Sequence, residues 1–459
     1  MKQLLSEDLI KKIPEPVFEI FNKFIEKGYE IYLVGGAVRD LLLGRPIHDV
    51  DMTTNAPPEK IQEIIPDSFY DNIFGTVGTI VEINGQKEKY EITTYRSEEG
   101  YTDRRRPDKV SWGKILEEDL KRRDFTINAM AIGYAQDKIK LELIDLFNGQ
   151  DDLKNKIIRA VGDPKERFSE DALRMIRAVR FAAQLGFTIE AKTFEAIQKN
   201  AYLIERISKE RIRDELFFIL ESDYPAEGFT LLLTSGLLIY ILPEMVKCYG
   251  VAQAKHHTKD VWTHSLLSLK SVPEKDPIVR LATFIHDVGK PVTARGEGPY
   301  RTFYNHEVVG AKIAEKIADR LRLSKKDKDR LITLVRWHLF TVDERQTDSA
   351  IRRFIRNVGK ENLKDILALR IGDRLGGGAR ETSWRLEKFK ERLVEVQKQP
   401  FTVADLKVNG FDVMKIFGIQ PGPRVGEILN QIFKEVVEGK IKNEKEVLIK
   451  RLEEIKKSF

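Results

Sequence analysis

Residues 33–60, LVGGAVRDLLLGRPIHDVDMTTNAPPEK, set a Gly-Gly turn and Arg39 ahead of two carboxylates, Asp49 and Asp51, separated by one residue. In extended chain alternate side chains share a face, so both carboxylates point the same way and can hold a pair of divalent cations. Two such cations serve an in-line attack on phosphorus, one activating the attacking hydroxyl and the other steadying the leaving pyrophosphate. The combination points to nucleotidyl transfer. The elements that must position it flank it: YEIYLVGG has the pattern of a buried strand ending in a turn, and VRDLLLG that of the helix after it. The helix N-terminus and the glycine amides, Gly36 included, would then face a triphosphate, with Arg39 placed to pair with it.

A second polar surface lies in EDALRMIRAVRF (170–181), where Arg174, Arg177 and Arg180 stand three apart and Asp171 three before the first. On a helix these four drift around one side and can meet a nucleotide. LKRRDFTINAMAIG (120–133), LIDLFNGQDDLKNKIIRAVGDPKERFSEDALRMIRAVRFAAQLGF (143–187) and ERISKERIRDEL (205–216) complete a series that, in order and spacing, resembles the bacterial tRNA nucleotidyltransferase and poly(A) polymerase family of the DNA polymerase β-like superfamily. The resemblance is to the CCA-adding (class II) type in particular and covers about half the chain.

The resemblance implies template-independent addition of CCA, from CTP and ATP, to the 3′ end of tRNA, with Asp49 and Asp51 as catalytic Mg2+ ligands. It further implies that Asp171 and Arg174 act as an amino-acid template for the incoming base. Arg177, Arg180 and Arg123 would be further nucleotide contacts, Asp124 would lie near the ribose, and Asn128 would brace its turn. The chemistry of the template is independent of the family. Cytosine and adenine both offer an amino donor beside a bare ring nitrogen, so a carboxylate next to a guanidinium fits both. Uracil and guanine invert that pattern, and sites of this kind reject the wrong partner by on the order of 10⁴. Glu91, on YEITTYR, is open between a third acid near the metals and a solvent-facing strand glutamate. SEEGYTDRRRPDKVSW (97–112), polar and arginine-rich, reads as a mobile loop beside the site. Family members that add only CC lack this loop, so its presence favours CCA addition or A addition.

Six of the seven histidines, His256, His257, His264, His286, His306 and His338, fall between 256 and 338. WTHSLL, FIHDVGKP and ALRIGDRLGG present His264, His286-Asp287 and Asp373 in order, a pattern similar to the H…HD…D series of HD phosphohydrolases, a domain that some members of the family carry. There imidazoles and carboxylates bind a divalent transition metal such as Ni2+, Mn2+ or Co2+ that activates water against a phosphate ester. His306 and His338 stand where some HD enzymes hold a second metal.

Apolar residues make up 42% of the 459 and charged residues 33%, with a net charge of only +6, so any nucleic-acid partner must be met by a local basic face. The single cysteine, Cys248, excludes an intrachain disulfide and points to a reducing compartment. MKQLLSEDLIKK lacks a signal-peptide pattern and the longest apolar run, 229–242, is too short and broken to span a bilayer, so a cytoplasmic protein without membrane contact is expected. The expected fold class is α+β: a polymerase β-like nucleotidyltransferase head followed by a mostly α-helical neck, body and HD-type tail. Expected boundaries are 1–150 for the head, 151–250 for the neck and body with the base-reading helix, 251–380 for the HD-type domain and 381–459 for a helical C-terminal segment. tRNA, through its acceptor arm and 3′ end, is the expected macromolecular partner. The competing readings are an A-adding tRNA nucleotidyltransferase, a poly(A) polymerase, a protein that is mainly an HD phosphodiesterase, and a noncatalytic RNA-binding protein.

Overall fold

The computed structural model describes residues 2–457 except 48, 71–74, 84, 100–108, 113–114, 138, 254–258, 344, 398–402 and 439. Two compact units result: Met1–Val251 with Lys275–Pro277 and Lys316–Ser324, and Ala252–Glu274 with Ile278–Glu315 and Lys325–Phe459.

The first unit is built on an eight-stranded sheet in the order Lys2–Leu4, Leu141–Asp145, Met130–Tyr134, Ile31–Val34, Val50–Thr54, Gln86–Thr94, Thr76–Ile83 and Ser68–Tyr70. Only Val50–Thr54 and Gln86–Thr94 run parallel; the other neighbours are antiparallel. Ile31–Val34 is central and nearly wholly buried, as its run of apolar residues requires. The Glu15–Glu26 helix packs on it through Val17, Ile20, Phe21 and Phe24, the spacing of one helical face. Burying side chains of this size contributes roughly 1.5–3 kcal/mol each. Gln86 pairs with Ile83 across a two-residue turn in which Gly85 takes φ +79°; Asn84 lies outside the described residues.

Register, more than sequence proximity, sets the polar end of this sheet. Val34 pairs with Asp51, and Asp51 with Glu91, so the strand that ends at the glycine turn and the two acidic strands meet side by side. Gly35 makes the turn at φ +71°, and a Cβ there would come within 3.2 Å of the Arg123 guanidinium and 3.5 Å of the Asp51 carboxylate. Glycine is required on both counts.

Residues 170–181, which the sequence places on one helix, are divided between two, Pro164–Glu170 and Leu173–Leu185. Asp171 lies at the joint in extended conformation, φ −138° and ψ 106°, and its Oδ1 accepts the Leu173 amide at 3.0 Å. A short carboxylate that bonds the backbone two residues on competes with helix continuation, which explains the break. Met175, Ile176, Val179 and Ala182 are buried beneath the second helix, leaving Arg174, Arg177 and Arg180 along its other side.

In the second unit the Val261–Ser271 and Leu363–Gly376 helices approach at small residues. A Cβ on Gly376 would lie 2.7 Å from the Ser268 nitrogen and 2.9 Å from its Cα. That approach lets His264 and Asp373, one on each helix, meet at 3.2 Å. Gly376→Ala is therefore expected to destabilise this unit by about 1–3 kcal/mol through overpacking, seen as a lower thermal midpoint. An unchanged midpoint would mean that the helices part without cost. Toward the C-terminus, Gly410–Phe417, Pro423–Val437 and Lys445–Lys457 enclose their own core of Val413, Ile428, Ile432, Leu448 and Leu452. Among the described residues no helix is long and apolar enough to cross a membrane.

Candidate active site

Asp49 and Asp51 line one cavity of about 610 Å³ in the first unit, together with Gly35, Gly36, Arg39, Arg123, Asp124, Asp171, Arg174, Arg177 and Arg180. The residues that the sequence singled out for the nucleotide and its metals are thus on one wall or another, whereas Glu91 is not among the lining residues. Arg122, Asn128, Gln184, Arg211 and Phe218 line it as well. Its seven arginines face four aspartates, an excess of positive charge suited to a triphosphate.

Burial raises the Asp51 pKa, Arg123 opposes that, and Glu91 and Asp49 add to it. Asp49 and Asp51, the latter desolvated, are carboxylates on one cavity wall whose charge a divalent cation would neutralise, and hard oxygen ligands match Mg2+. Glu91, left open by the strand pattern, stands beside Asp51 in register and pairs with Lys89 at 2.9 Å.

The arginines are held by a lattice of ion pairs. Arg39 donates to Asp40 at 2.9 and 3.0 Å and to Asn128 Oδ1 at 2.9 Å, and Asn128 in turn donates to Asp124 at 3.2 Å. Asn128 therefore does brace the turn, linking Arg39 to Asp124. Arg177 binds Asp124 Oδ2 through two nitrogens at 2.6 and 2.8 Å. Burial would raise the Asp124 pKa, but Arg177 and Asn128 outweigh it and hold the carboxyl at about 2. Arg180, against Glu215 at 3.1 Å, is pushed down to about 10 by burial and by Arg177. Asp119 is fully buried and pairs with Arg122 at 2.7 Å and with Arg123 at 3.1 Å, fixing Arg123 beside Gly35. Arg174 donates to Glu170 at 2.6 Å and to the Arg122 carbonyl at 3.0 Å. Asp40, Asp119 and Glu170 lie within four residues of the arginines they hold, whereas Asp124 and Glu215 reach Arg177 and Arg180 from distant segments, Glu215 from the ERISKERIRDEL motif that also carries Arg211.

Arg96–Glu99 and Lys109–Trp112 pair as antiparallel arms of the arginine-rich loop, whose tip, with Asp103 and Arg106, lies outside the described residues. His48, His256 and His257 lie outside them too.

A separate cluster forms in the second unit. His264 Nε2 lies 3.2 Å from Asp373 Oδ1 and 3.2 Å from His286 Nε2, and His286 Nε2 lies 3.3 Å from Asp287 Oδ2. The structure thus brings together the four residues of the H…HD…D series. On the other oxygen of Asp287, Oδ1, His306 Nε2 stands at 3.2 Å and His338 Nε2 at 3.8 Å. His286, His306 and His338 each donate from Nδ1 to the carbonyl three residues earlier, at 2.7, 2.8 and 2.7 Å. These bonds turn every Nε2 inward, and those of His306 and His338 are buried without a hydrogen bond. Burial lowers the His338 pKa to about 3, so its ring is neutral. Burial disfavours charge on His286 too, but Asp287 and Asp373 push it up to about 10, which shows how strongly the pocket draws positive charge. Inward-facing imidazoles with the buried Asp287 and half-buried Asp373 carboxylates suit a transition metal. Lys290 donates to Asp287 Oδ2 at 2.6 Å, and Arg370 to Asp373 Oδ2 at 3.3 Å.

Sheet, glycine turn and acidic strands define a nucleotidyltransferase head carried on a mixed α+β fold with a helical remainder. The chain matches the poly(A) polymerase head domain over residues 31–159, the "Probable RNA and SrmB-binding site of polymerase A" over 186–248 and tRNA nucleotidyltransferase domain 2 over 308–452. It is 35% identical over 451 residues to the CCA-adding enzyme of Ligilactobacillus salivarius, covering 97% of this chain and 98% of that one. The crystal structure of the Bacillus stearothermophilus CCA-adding enzyme in complex with CTP superposes with a TM-score of 0.71 at 31% identity, covering 97% of this chain and 99% of that one. The fold is also that of the Thermotoga maritima CCA-adding enzyme complexed with tRNA_CCA, with a TM-score of 0.64 at 22% identity over 99% of each chain. The chain belongs to the CCA-adding enzyme family of tRNA nucleotidyltransferases and poly(A) polymerases.

Proposed function

We propose that the protein adds C, C and A to the 3′ end of tRNA from CTP and ATP without a nucleic-acid template. The observation that carries this is the meeting, in one cavity, of Asp49 and Asp51 with the base-reading pair Asp171 and Arg174. In the reaction the tRNA 3′-hydroxyl attacks the α-phosphorus of the nucleotide and pyrophosphate leaves. Asp49 and Asp51, with Glu91 beside them, would hold Mg2+, which when bound supplies activation of the hydroxyl and neutralises charge on the departing phosphates. Arg39, Arg177 and Arg180 bind the phosphates, Arg123 and Asp124 hold the sugar end, and Asp171 and Arg174 offer one acceptor and one donor to cytosine or adenine. The matches to RNA-binding and tRNA nucleotidyltransferase families support the acceptor arm as the second substrate. The chain then divides by task into a head (1–150), a neck and body (151–250), an HD-type domain (251–380) and a C-terminal helical segment (381–459).

Purified protein incubated with tRNA ending in the discriminator base, in C or in CC, with each labelled nucleotide in turn, tests this directly. Two C additions followed by one A are expected. Addition of A only to the CC end makes it an A-adding enzyme, long A tails make it a poly(A) polymerase, and no addition ends the nucleotidyltransferase reading.

The histidine cluster supports a second activity. His264, His286, Asp287 and Asp373 would hold Ni2+, Mn2+ or Co2+, with His306 and His338 as ligands for a further cation; when bound, such a metal activates water against a phosphate ester. Lys290 and Arg370 fix the carboxylates, and the backbone bonds at Nδ1 fix the imidazoles.

A further inference from the structure

We infer that Arg211 governs base selection by holding the Asp171 carboxylate in its reading position. Arg211 NH2 donates to Asp171 Oδ2 at 2.7 Å, and NH1 lies 3.5 Å from Oδ1. Asp171 belongs to neither flanking helix and stands at the joint between them. The only other hold on the carboxylate among the described residues is the Leu173 amide, on Oδ1. Arg211 itself is fixed, since the Lys209–Glu221 helix that bears it buries Ile212 and Leu216.

A carboxylate has about four acceptor positions. Arg211 and Leu173 leave at least one of them free, so Arg211 can remain in place while Asp171 accepts the amino hydrogen of cytosine or adenine. Its partner in reading, Arg174, is tied in the same manner to Glu170. Acceptor and donor are therefore each anchored by a charged group, and neither turns away when the wrong base arrives. Rejection of uracil and guanine depends on that rigidity: a carboxylate free to rotate no longer confronts the wrong carbonyl oxygen. Arg211 is thus a positioning residue. The inference rests on the reading of Asp171 as a base-contacting group.

The test measures kcat/KM for all four ribonucleoside triphosphates on tRNA ending in the discriminator base or in CC. Arg211→Met is expected to lower the CTP:UTP and ATP:GTP ratios by on the order of ten- to a hundredfold, the loss of a charge-assisted contact expressed as selectivity. Arg211→Lys should restore part of the ratio, because an ammonium keeps the charge but not the two-point grip. The Asp171→Ala/Arg211→Met double variant should be no less selective than Asp171→Ala alone. Equal slowing of all four nucleotides by Arg211→Met, with ratios unchanged, overturns the inference and makes Arg211 scaffold. Should the Met variant fail to fold, wild-type ratios in a folded Arg211→Gln variant overturn it equally. Unchanged ratios in Asp171→Ala would instead overturn the base-reading assignment itself, whatever Arg211 does.

Discussion

Asp51→Asn is expected to cut nucleotide addition by on the order of 10²-fold or more while leaving tRNA affinity within a few fold. Asp51 sits where the glycine turn, the acidic strands and Arg123 converge, with its carboxylate desolvated among like charges. The amide of asparagine is nearly the same size and keeps the register with Val34 and Glu91. The substitution therefore removes a charge without moving the sheet. On the proposed mechanism that charge is needed where the nucleotidyl group passes from pyrophosphate to the 3′-hydroxyl, so the rate is expected to fall and RNA affinity is not. Asp49→Asn should behave alike. Single-turnover addition of labelled CTP to tRNA ending in the discriminator base, with filter binding of the same tRNA, separates the two quantities. Wild-type turnover in either variant would remove these residues from the chemistry.

The parts of this site that were legible in the sequence are those that lie close together along it. Arg174, Arg177 and Arg180 follow one helix, so period alone places them along one side, and Asp49 and Asp51 are two apart, although Asp51 lies on the Val50–Thr54 strand and Asp49 in the bend before it. Glu91 stayed open because its place depends on parallel pairing with a strand 40 residues away, and no local pattern encodes register. The break at Asp171 was hidden for a different reason. Apolar periodicity continues across it, and the local preference of aspartate for bonding its own backbone decides the outcome. Arg211 is again 40 residues from its partner. In the second unit the order of His264, His286, Asp287 and Asp373 was readable, but their meeting depends on Gly372 and Gly376 letting two helices close on Ser268, a packing fact with no periodic signature.

Asp287→Asn is expected to abolish metal-dependent hydrolysis of a phosphate ester such as a 2′,3′-cyclic nucleotide while nucleotide addition persists. Asp287 is the hub of its cluster, with His264 and His286 against Oδ2 and His306 and His338 against Oδ1. Its pKa is drawn well below the ordinary carboxylate range, His286 and Lys290 outweighing burial. An asparagine there keeps one oxygen but places a nitrogen donor against two of those imidazoles, so the pocket loses both charge and acceptor. Changes one step removed from a metal commonly cost about 10–100-fold in affinity, and loss of the central ligand should exceed that. Metal content of the purified protein, with and without added Ni²⁺, Mn²⁺ or Co²⁺, is the first readout, and hydrolysis of the cyclic nucleotide the second. Wild-type protein that takes up no transition metal and hydrolyses nothing in their presence would make the region a structural helical module. Retained hydrolysis in Asp287→Asn would place that chemistry elsewhere in the chain. The reciprocal Asp51→Asn variant should keep the hydrolase, because its carboxylate belongs to the first unit and the cluster is assembled wholly within the second.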